Sequence, residues 1–323
     1  MKKYIKLGLS LGFTGLFLVF SYKNMSQLDL VAIRDFDFHY PNIIFSILAF
    51  MLGLFFRSMA WAKGLNQNLR LKKAFQGVTI GMAANMVLPF RMGEVAKSAL
   101  LNTDTSLSSN KDNQKLRDYY VVGLNILFER LFDVLILGGL LIITLWFVDF
   151  SGDMEDKASL LMRLGLIGFA LLGLGILAFH FLKDFLSSKS TKVRSFYDWT
   201  LKVQVLTSLQ AAYQTLVYLI LSWFSVYLST FFGLLAIGRP VSEALKASLV
   251  VLVLVNLAIL VPTAPGGIGA FQFACVYGLS FFRMDDLSVF VASILLHLVQ
   301  YIAALPLGLV CFIIWRLSNE KNL

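Results

Sequence analysis

Six ionisable side chains lie where the surrounding sequence is apolar. Arg91, Glu94 and Lys97 follow one another at intervals of three in NMVLPFRMGEVAKSALL, and Glu129, Arg130 and Asp133 cluster in LNILFERLFDVLIL. Spacings of three and four bring such residues onto adjoining helical faces. An ionised group at mid-bilayer costs about 2.5 to 3.5 kcal/mol on insertion scales, so each of the six must meet water, a partner or a ligand. Two uses fit: an ion-pair network that welds one helix to the next, and a polar cavity that captures a charged headgroup. The two uses are compatible. Three positive and three negative residues sum to zero. Anion capture by a neutral set would require protonation of Glu129 or Asp133, so headgroup binding is expected to be linked to proton uptake.

A second group lies far along the chain. Pro262, Pro265, Gly266, Gly267 and Gly269 precede an apolar stretch that carries Gln272, and His297 follows in a later run. Backbone amides at such a helix start can face a cavity and bind an anion; the same glycines also suit a plain tight turn. His297 suits either a satisfied packing histidine or a proton carrier. The sequence shows no nucleophile beside a base, no zinc-ligand spacing and no phosphate-cradling lysine loop, so neither catalytic residues nor a metal nor a cofactor is expected.

The elements that must position these residues are membrane helices. Of 323 residues, 58% are hydrophobic and only 15% charged, with mean hydropathy +0.76. A soluble chain carries nearer a quarter charged. Continuous apolar runs argue for helices rather than a barrel. The expectation is an all-α polytopic membrane protein, one domain over 1–323, with about six full spans near 4–22, 42–61, 119–148, 160–182, 209–235 and 287–315. The stretch 77–101 is too long for one crossing and too short for two, since about twenty residues are needed for each. Pro89 breaks its helix, because proline lacks an amide hydrogen and disfavours helix at the preceding residue.

That stretch therefore reads as a re-entrant or broken-helix hairpin, with Asn85, Pro89, Gly93 and Glu94 at its interruption. The stretch 247–282 has the same form, interrupted by Asn256, Pro262, Pro265, the glycines and Gln272. Each is followed by a polar helix face: Asn125, Glu129 and Asp133 in one case, Ser293, His297 and Tyr301 in the other. Basic segments 63–73, 102–118 and 183–202 alternate with the acidic loop 149–156, which places the first three inside and the last outside. Both termini are then cytoplasmic, and the hairpins enter from opposite sides as an inverted pseudo-repeat of 41–148 and 209–315. Paired interrupted segments of this kind mark a transporter's midplane site.

Other readings carry less. The net charge of +9 is spread over short loops, which sets orientation and gives no reason to invoke nucleic acid. Cys275 and Cys311 fall in apolar runs and read as small buried hydrophobes. Gln210, Gln214, Tyr218 and Ser222 share one face and suit helix-to-helix hydrogen bonding or the lining of a path. Asp35 and Asp37 in the first external loop raise the alternative of a polytopic membrane glycosyltransferase or an accessory subunit of a lipid-modifying enzyme.

The chain resembles the transmembrane region of the lysylphosphatidylglycerol synthase family, a flippase-like domain. Asn85, Pro89, Arg91, Gly93 and Glu94 follow its first motif, with Lys97 where Arg is usual; Glu129, Arg130 and Asp133 resemble the second; Pro262, Pro265, Gly266, Gly267 and Gly269 resemble the third. Gln272 stands where the family commonly has Glu, so a charged role is not carried over to that position. The resemblance implies translocation of a lipid between leaflets of a bacterial inner membrane, or a related lipid-handling role. In the full-length synthases lysine transfer depends on a separate soluble domain, and this sequence runs only seven residues past Arg316. Lipid-modifying chemistry is therefore expected from a partner enzyme. The substrate expected here is a membrane lipid with an anionic headgroup, of phospholipid or polyprenyl-phosphate type.

Overall fold

A computed structural model describes residues 36–67, 69–88, 92–101, 111–148, 208–259, 265–282 and 284–320. Among these residues there are α-helices and no strands. In chain order they are α1 (Tyr40–Met59), α2 (Leu71–Val87), α3 (Met92–Leu101), α4 (Lys111–Phe147), α5 (Leu209–Ala236), α6 (Val241–Ala258), α7 (Ala270–Leu279) and α8 (Asp286–Glu320). The protein is an all-α membrane protein. Four helical stretches, Tyr40–Leu65, Leu209–Ala236, Val241–Ala258 and Asp286–Ser318, are long and apolar enough to cross a bilayer.

Three of these coincide with the spans expected at 42–61, 209–235 and 287–315. The fourth differs, because α6 begins at Val241 rather than near 247 and is span-length by itself. Its start is set by Pro240, and by Arg239, whose guanidinium holds the Glu243 carboxylate of the first turn at 2.7 Å. A proline suits a helix start because its missing amide hydrogen would be unpaired there anyway. α4 begins at Lys111, earlier than the 119 read from hydropathy. Its 37 residues span about 55 Å at 1.5 Å per residue, well beyond the hydrocarbon thickness. The runs 4–22 and 160–182, and with them two expected spans, lie outside the described residues.

The chain forms two compact units. The first takes the described residues up to 54, those of 78–96 and those from 222 onward; the second takes those of 55–77 and 97–221. In the first unit, the core is built where α5 ends and where α6, α7 and α8 pack: Leu234, Val251, Phe271, Cys275, Leu279 and Leu296 are all buried. Cys275 and Cys311 are both free and buried, as small apolar residues should be. α1 and α5 meet here through small side chains. Ser46 Oγ donates to the Ser229 carbonyl at 2.6 Å, and Ser222 Oγ donates to the Gly53 carbonyl at 2.9 Å. In a bilayer, where lipid is as apolar as leucine, such close packing and hydrogen bonding supply the association. Of the four polar residues foreseen on α5, only Ser222 is buried in such a bond.

In the second unit, α1 passes directly into a π-helical segment, Ala60–Leu65, closed by the Asn66 amide donating to the Trp61 carbonyl at 2.9 Å. Trp61 is completely buried. α4 supplies the other wall of this unit's polar interior, with Asn125 and Glu129 buried on one face a turn apart.

Candidate functional site

The second unit contains a buried ion network built from three helices. Arg57 comes from the last turn of α1, Lys97 from α3, and Glu129, Arg130 and Asp133 from α4. Lys97 Nζ donates to Glu129 Oε2 at 2.6 Å and Arg57 Nη1 to Glu129 Oε1 at 2.8 Å. Arg57 Nη2 donates to Asp133 Oδ1 at 2.9 Å, while Asp133 Oδ2 accepts from Arg57 Nη1 at 3.0 Å and from Arg130 Nη1 at 2.9 Å. Every carboxylate oxygen of the pair is therefore engaged. The Glu129 side chain is 0% exposed, whereas that of Arg130 is 40% exposed and forms the open edge. Lys97 Nζ also lies 5.1 Å from the centre of the Trp61 ring, a cation–π contact.

Arg57 is the member that hydropathy reading missed. The signal was present: a single arginine inside the apolar run LGLFFRSMAW. An ionisable residue within a span is a functional candidate by default, and Arg57 was instead absorbed into the second span. Its inclusion changes the electrostatics. Added to the six charged residues read from the sequence, Arg57 makes four cations against three carboxylates, one formal positive charge in excess. The premise behind proton-linked capture, a charge sum of zero, does not hold once Arg57 is counted. Two buried polar atoms of the same unit, Trp61 Nε1 and Asn125 Oδ1, have no hydrogen-bond partner among the described residues. Trp61 lies against Lys97, and Asn125 precedes Glu129 by one helical turn.

The first unit holds both helix interruptions. At the first, Asn85 Oδ1 accepts the Gly93 amide at 2.8 Å and so ties the end of α2 to the start of α3. Glycine is required at 93, since a Cβ there would run into the Gly81 carbonyl oxygen. α2 and α3 thus fold back on each other, as the broken-helix reading expects. Glu94 is half-buried in the first turn of α3. Pro89 and Arg91 lie outside the described residues, as does Pro262.

At the second interruption, Gly266, Gly267 and Gly269 have φ of 68°, 75° and 89°. These left-handed values are open to glycine at little cost. The Gly269 amide donates to Gln272 Oε1 at 2.8 Å, so this amide of the turn is satisfied within the chain. His297 of α8 bridges the turn: its Nδ1 lies 2.8 Å from Gln272 Nε2 and its Nε2 lies 3.0 Å from the Gly266 carbonyl oxygen. One helical turn on, Tyr301 donates to the Met86 carbonyl at 3.4 Å. A Cβ at Gly266 would collide with the Tyr301 hydroxyl and stand 3.1 Å from the Met86 carbonyl oxygen. The end of α2 and the glycine turn before α7 therefore meet across Tyr301. A cleft in this unit is lined by Phe50, Ser229, Thr230, Asn256, Phe271 and Gln300, among other uncharged residues. The ion network is not part of its wall.

A model of the family described as lysylphosphatidylglycerol synthase TM region matches residues 5–308. The chain belongs to this family. No curated protein and no solved structure matches it. The match covers both helix interruptions and the ion network. Within this family member the second motif, Glu129, Arg130 and Asp133, is joined in one network with Lys97 of the first. The third motif, at Gly266, Gly267 and Gly269, is locked by Gln272 and His297. Family membership supports a role in handling membrane lipid.

Proposed function

We propose that this protein moves a lipid with an anionic headgroup between the leaflets of a bacterial inner membrane. The observation that carries the reading is the buried network of Arg57, Lys97, Arg130, Glu129 and Asp133, with its single positive excess inside an apolar helical unit. Buried ion pairs often fail to repay the loss of their hydration, so a purely structural weld is an expensive choice. A network that must receive a negative group has a reason to be charged and to be positive.

Arg130 at the open edge offers planar, delocalised donors suited to a phosphate. Trp61 Nε1 and Asn125 Oδ1, which have no hydrogen-bond partner among the described residues, supply one further donor and one acceptor within the same unit. The substrate classes this chemistry suits are anionic phospholipids and polyprenyl-phosphate-type lipids. Both termini on the cytoplasmic side, and the hairpins entering from opposite faces, complete the reading. A separate lipid-modifying enzyme is the partner it implies, and the chain itself is read as a carrier without catalysis.

The test is leaflet exchange in sealed vesicles holding the purified protein, with fluorescent phosphatidylglycerol and phosphatidylcholine as probes. Faster exchange of the anionic probe, lost in Arg57→Gln and Lys97→Gln, supports the reading. Sugar transfer from a polyprenyl-phosphate donor without leaflet exchange would support the glycosyltransferase alternative.

A further inference from the structure

The second interruption holds a hydrogen-bond chain in which each group fixes the next. The Gly269 amide can only donate, and it faces Gln272 Oε1 at 2.8 Å. That contact orients the carboxamide, so its NH2 group points at His297 Nδ1, 2.8 Å away. On the opposite edge of the ring, His297 Nε2 lies 3.0 Å from the Gly266 carbonyl oxygen, which can only accept. The imidazole must then carry its proton on Nε2 and present a lone pair at Nδ1. Turning the carboxamide over would set its NH2 against the Gly269 amide, donor against donor.

We infer that Gln272 is a positioning residue that acts through His297, fixing a neutral imidazole with its proton on Nε2 so that the Gly266 carbonyl is held and the glycine turn stays in one uncharged arrangement. A second proton on the ring would sit at Nδ1, opposite the Gln272 NH2, and break the chain there. Among the described residues, the remaining ring contacts of His297 carry no charge. Phe271 of α7 stacks on it at 4.3 Å and 5°, and Tyr301 of α8 meets it edge-on at 4.9 Å; Tyr301 is the titratable group among these contacts. The inference goes beyond lipid movement, since it concerns how the turn is held whatever passes near it.

A side chain of opposite hydrogen-bond polarity makes the contrast. In Gln272→Glu the Gly269 amide keeps its acceptor, but Nδ1 now faces an acceptor as well. The ring would gain a proton there while Nε2–H still donates to Gly266, giving an imidazolium–carboxylate pair.

The experiment is ¹⁵N NMR of the full chain in nanodiscs, labelled at its three histidines and assigned with His39→Gln and His180→Gln. The wild type should show His297 as a single neutral form, unprotonated at Nδ1 and protonated at Nε2, unchanged between about pH 6 and 8, the window in which a free imidazole titrates. Gln272→Glu should show both nitrogens protonated over the same range, and Gln272→Leu a ring still protonated at Nε2 but with its Nδ1 signal moved toward that of a lone pair with no donor opposite it. A wild-type ring protonated at Nδ1 overturns the inference, as does a His297 spectrum that neither variant changes. Because the wild-type spectrum decides by itself, poor folding of a variant does not remove the test, and the result is independent of which lipid is moved.

Discussion

Arg57 and Asp133 face each other fork to fork, with Nη2 to Oδ1 at 2.9 Å and Nη1 to Oδ2 at 3.0 Å. The same Nη1 reaches Glu129 Oε1 at 2.8 Å, so one guanidinium spans two carboxylates. Only a planar, multi-donor cation does this. Arg57→Lys keeps the charge and loses the span. It should unfold at a lower temperature than the wild type and exchange anionic lipid more slowly, while Arg57→Ala should be worse in both. Thermal unfolding in detergent alongside vesicle exchange checks the ranking, and equal behaviour of Lys and wild type at 57 would contradict it.

Glu129 is the hub, with both oxygens taken and no exposed surface. Removing one partner of a buried pair leaves uncompensated charge and typically costs about 3 to 5 kcal/mol. Glu129→Ala should lose stability on that scale, read as a reduced unfolding midpoint or as failure to accumulate. A loss below about 1 kcal/mol would mean the network is hydrated and behaves like a surface pair.

Since the network is already positive, anion capture needs no proton. Exchange of an anionic lipid should therefore be flat between about pH 6 and 8, a range that a histidine-gated site would not leave flat. Asp133→Asn raises the positive excess and should tighten anionic-lipid binding without changing the shape of the profile. A wild-type profile that rises steeply toward acid, and flattens in Asp133→Asn, would restore proton coupling.

Gly266→Ala carries two separable penalties. A left-handed φ of 68° costs an L-residue roughly 1 to 2 kcal/mol, and the added Cβ also meets Tyr301. Tyr301→Ala in the same chain should recover the steric part and leave the backbone part. A double-mutant cycle on unfolding midpoints separates them; strict additivity would mean Tyr301 yields without resistance.

At the start of α8, Asp285 Oδ1 accepts the Ser288 amide at 2.8 Å as a helix cap. Partial burial pushes its carboxyl up, but the Ser288 hydroxyl and amide outweigh this and hold it below the usual aspartate range. A depressed carboxyl contributes stability that is complete above its unfolded value and is lost as pH falls through its folded value. Asp285→Ala should cost about 0.5 to 2 kcal/mol at neutral pH and progressively less in acid. Unfolding midpoints of both proteins measured down an acid series would show the two curves converging.

The legible parts of the molecule were those with a local cause. The break between α2 and α3, the glycine turn before α7 and the membrane helices near 40, 209 and 286 follow from proline chemistry, backbone conformation and run length, all readable within a few residues. Lys97, Glu129, Arg130 and Asp133 were picked out because charge in an apolar run is conspicuous, and the fold does join them. Arg57 was not, because its partners lie 72 and 76 residues away and its own run already satisfied the requirement for a span. The link from Gln272 to His297 was equally hidden: an amide and an imidazole 25 residues apart carry no periodic signature. Charge arithmetic done on local clusters is incomplete for the same reason, since one distant cation reverses its conclusion.

The π-helical segment Ala60–Leu65 stands between Arg57 and the residues that follow it. A π turn accommodates one residue more than an α turn, and each residue of a regular helix advances it by about 100°. Deleting a single residue here would let the helix run on as α and swing either Arg57 or the chain beyond Leu65 by that angle. Substitutions in this turn are thus a matter of packing, whereas insertions and deletions are a matter of register. The number of residues in this turn therefore sets the angle between Arg57 and the chain beyond Leu65.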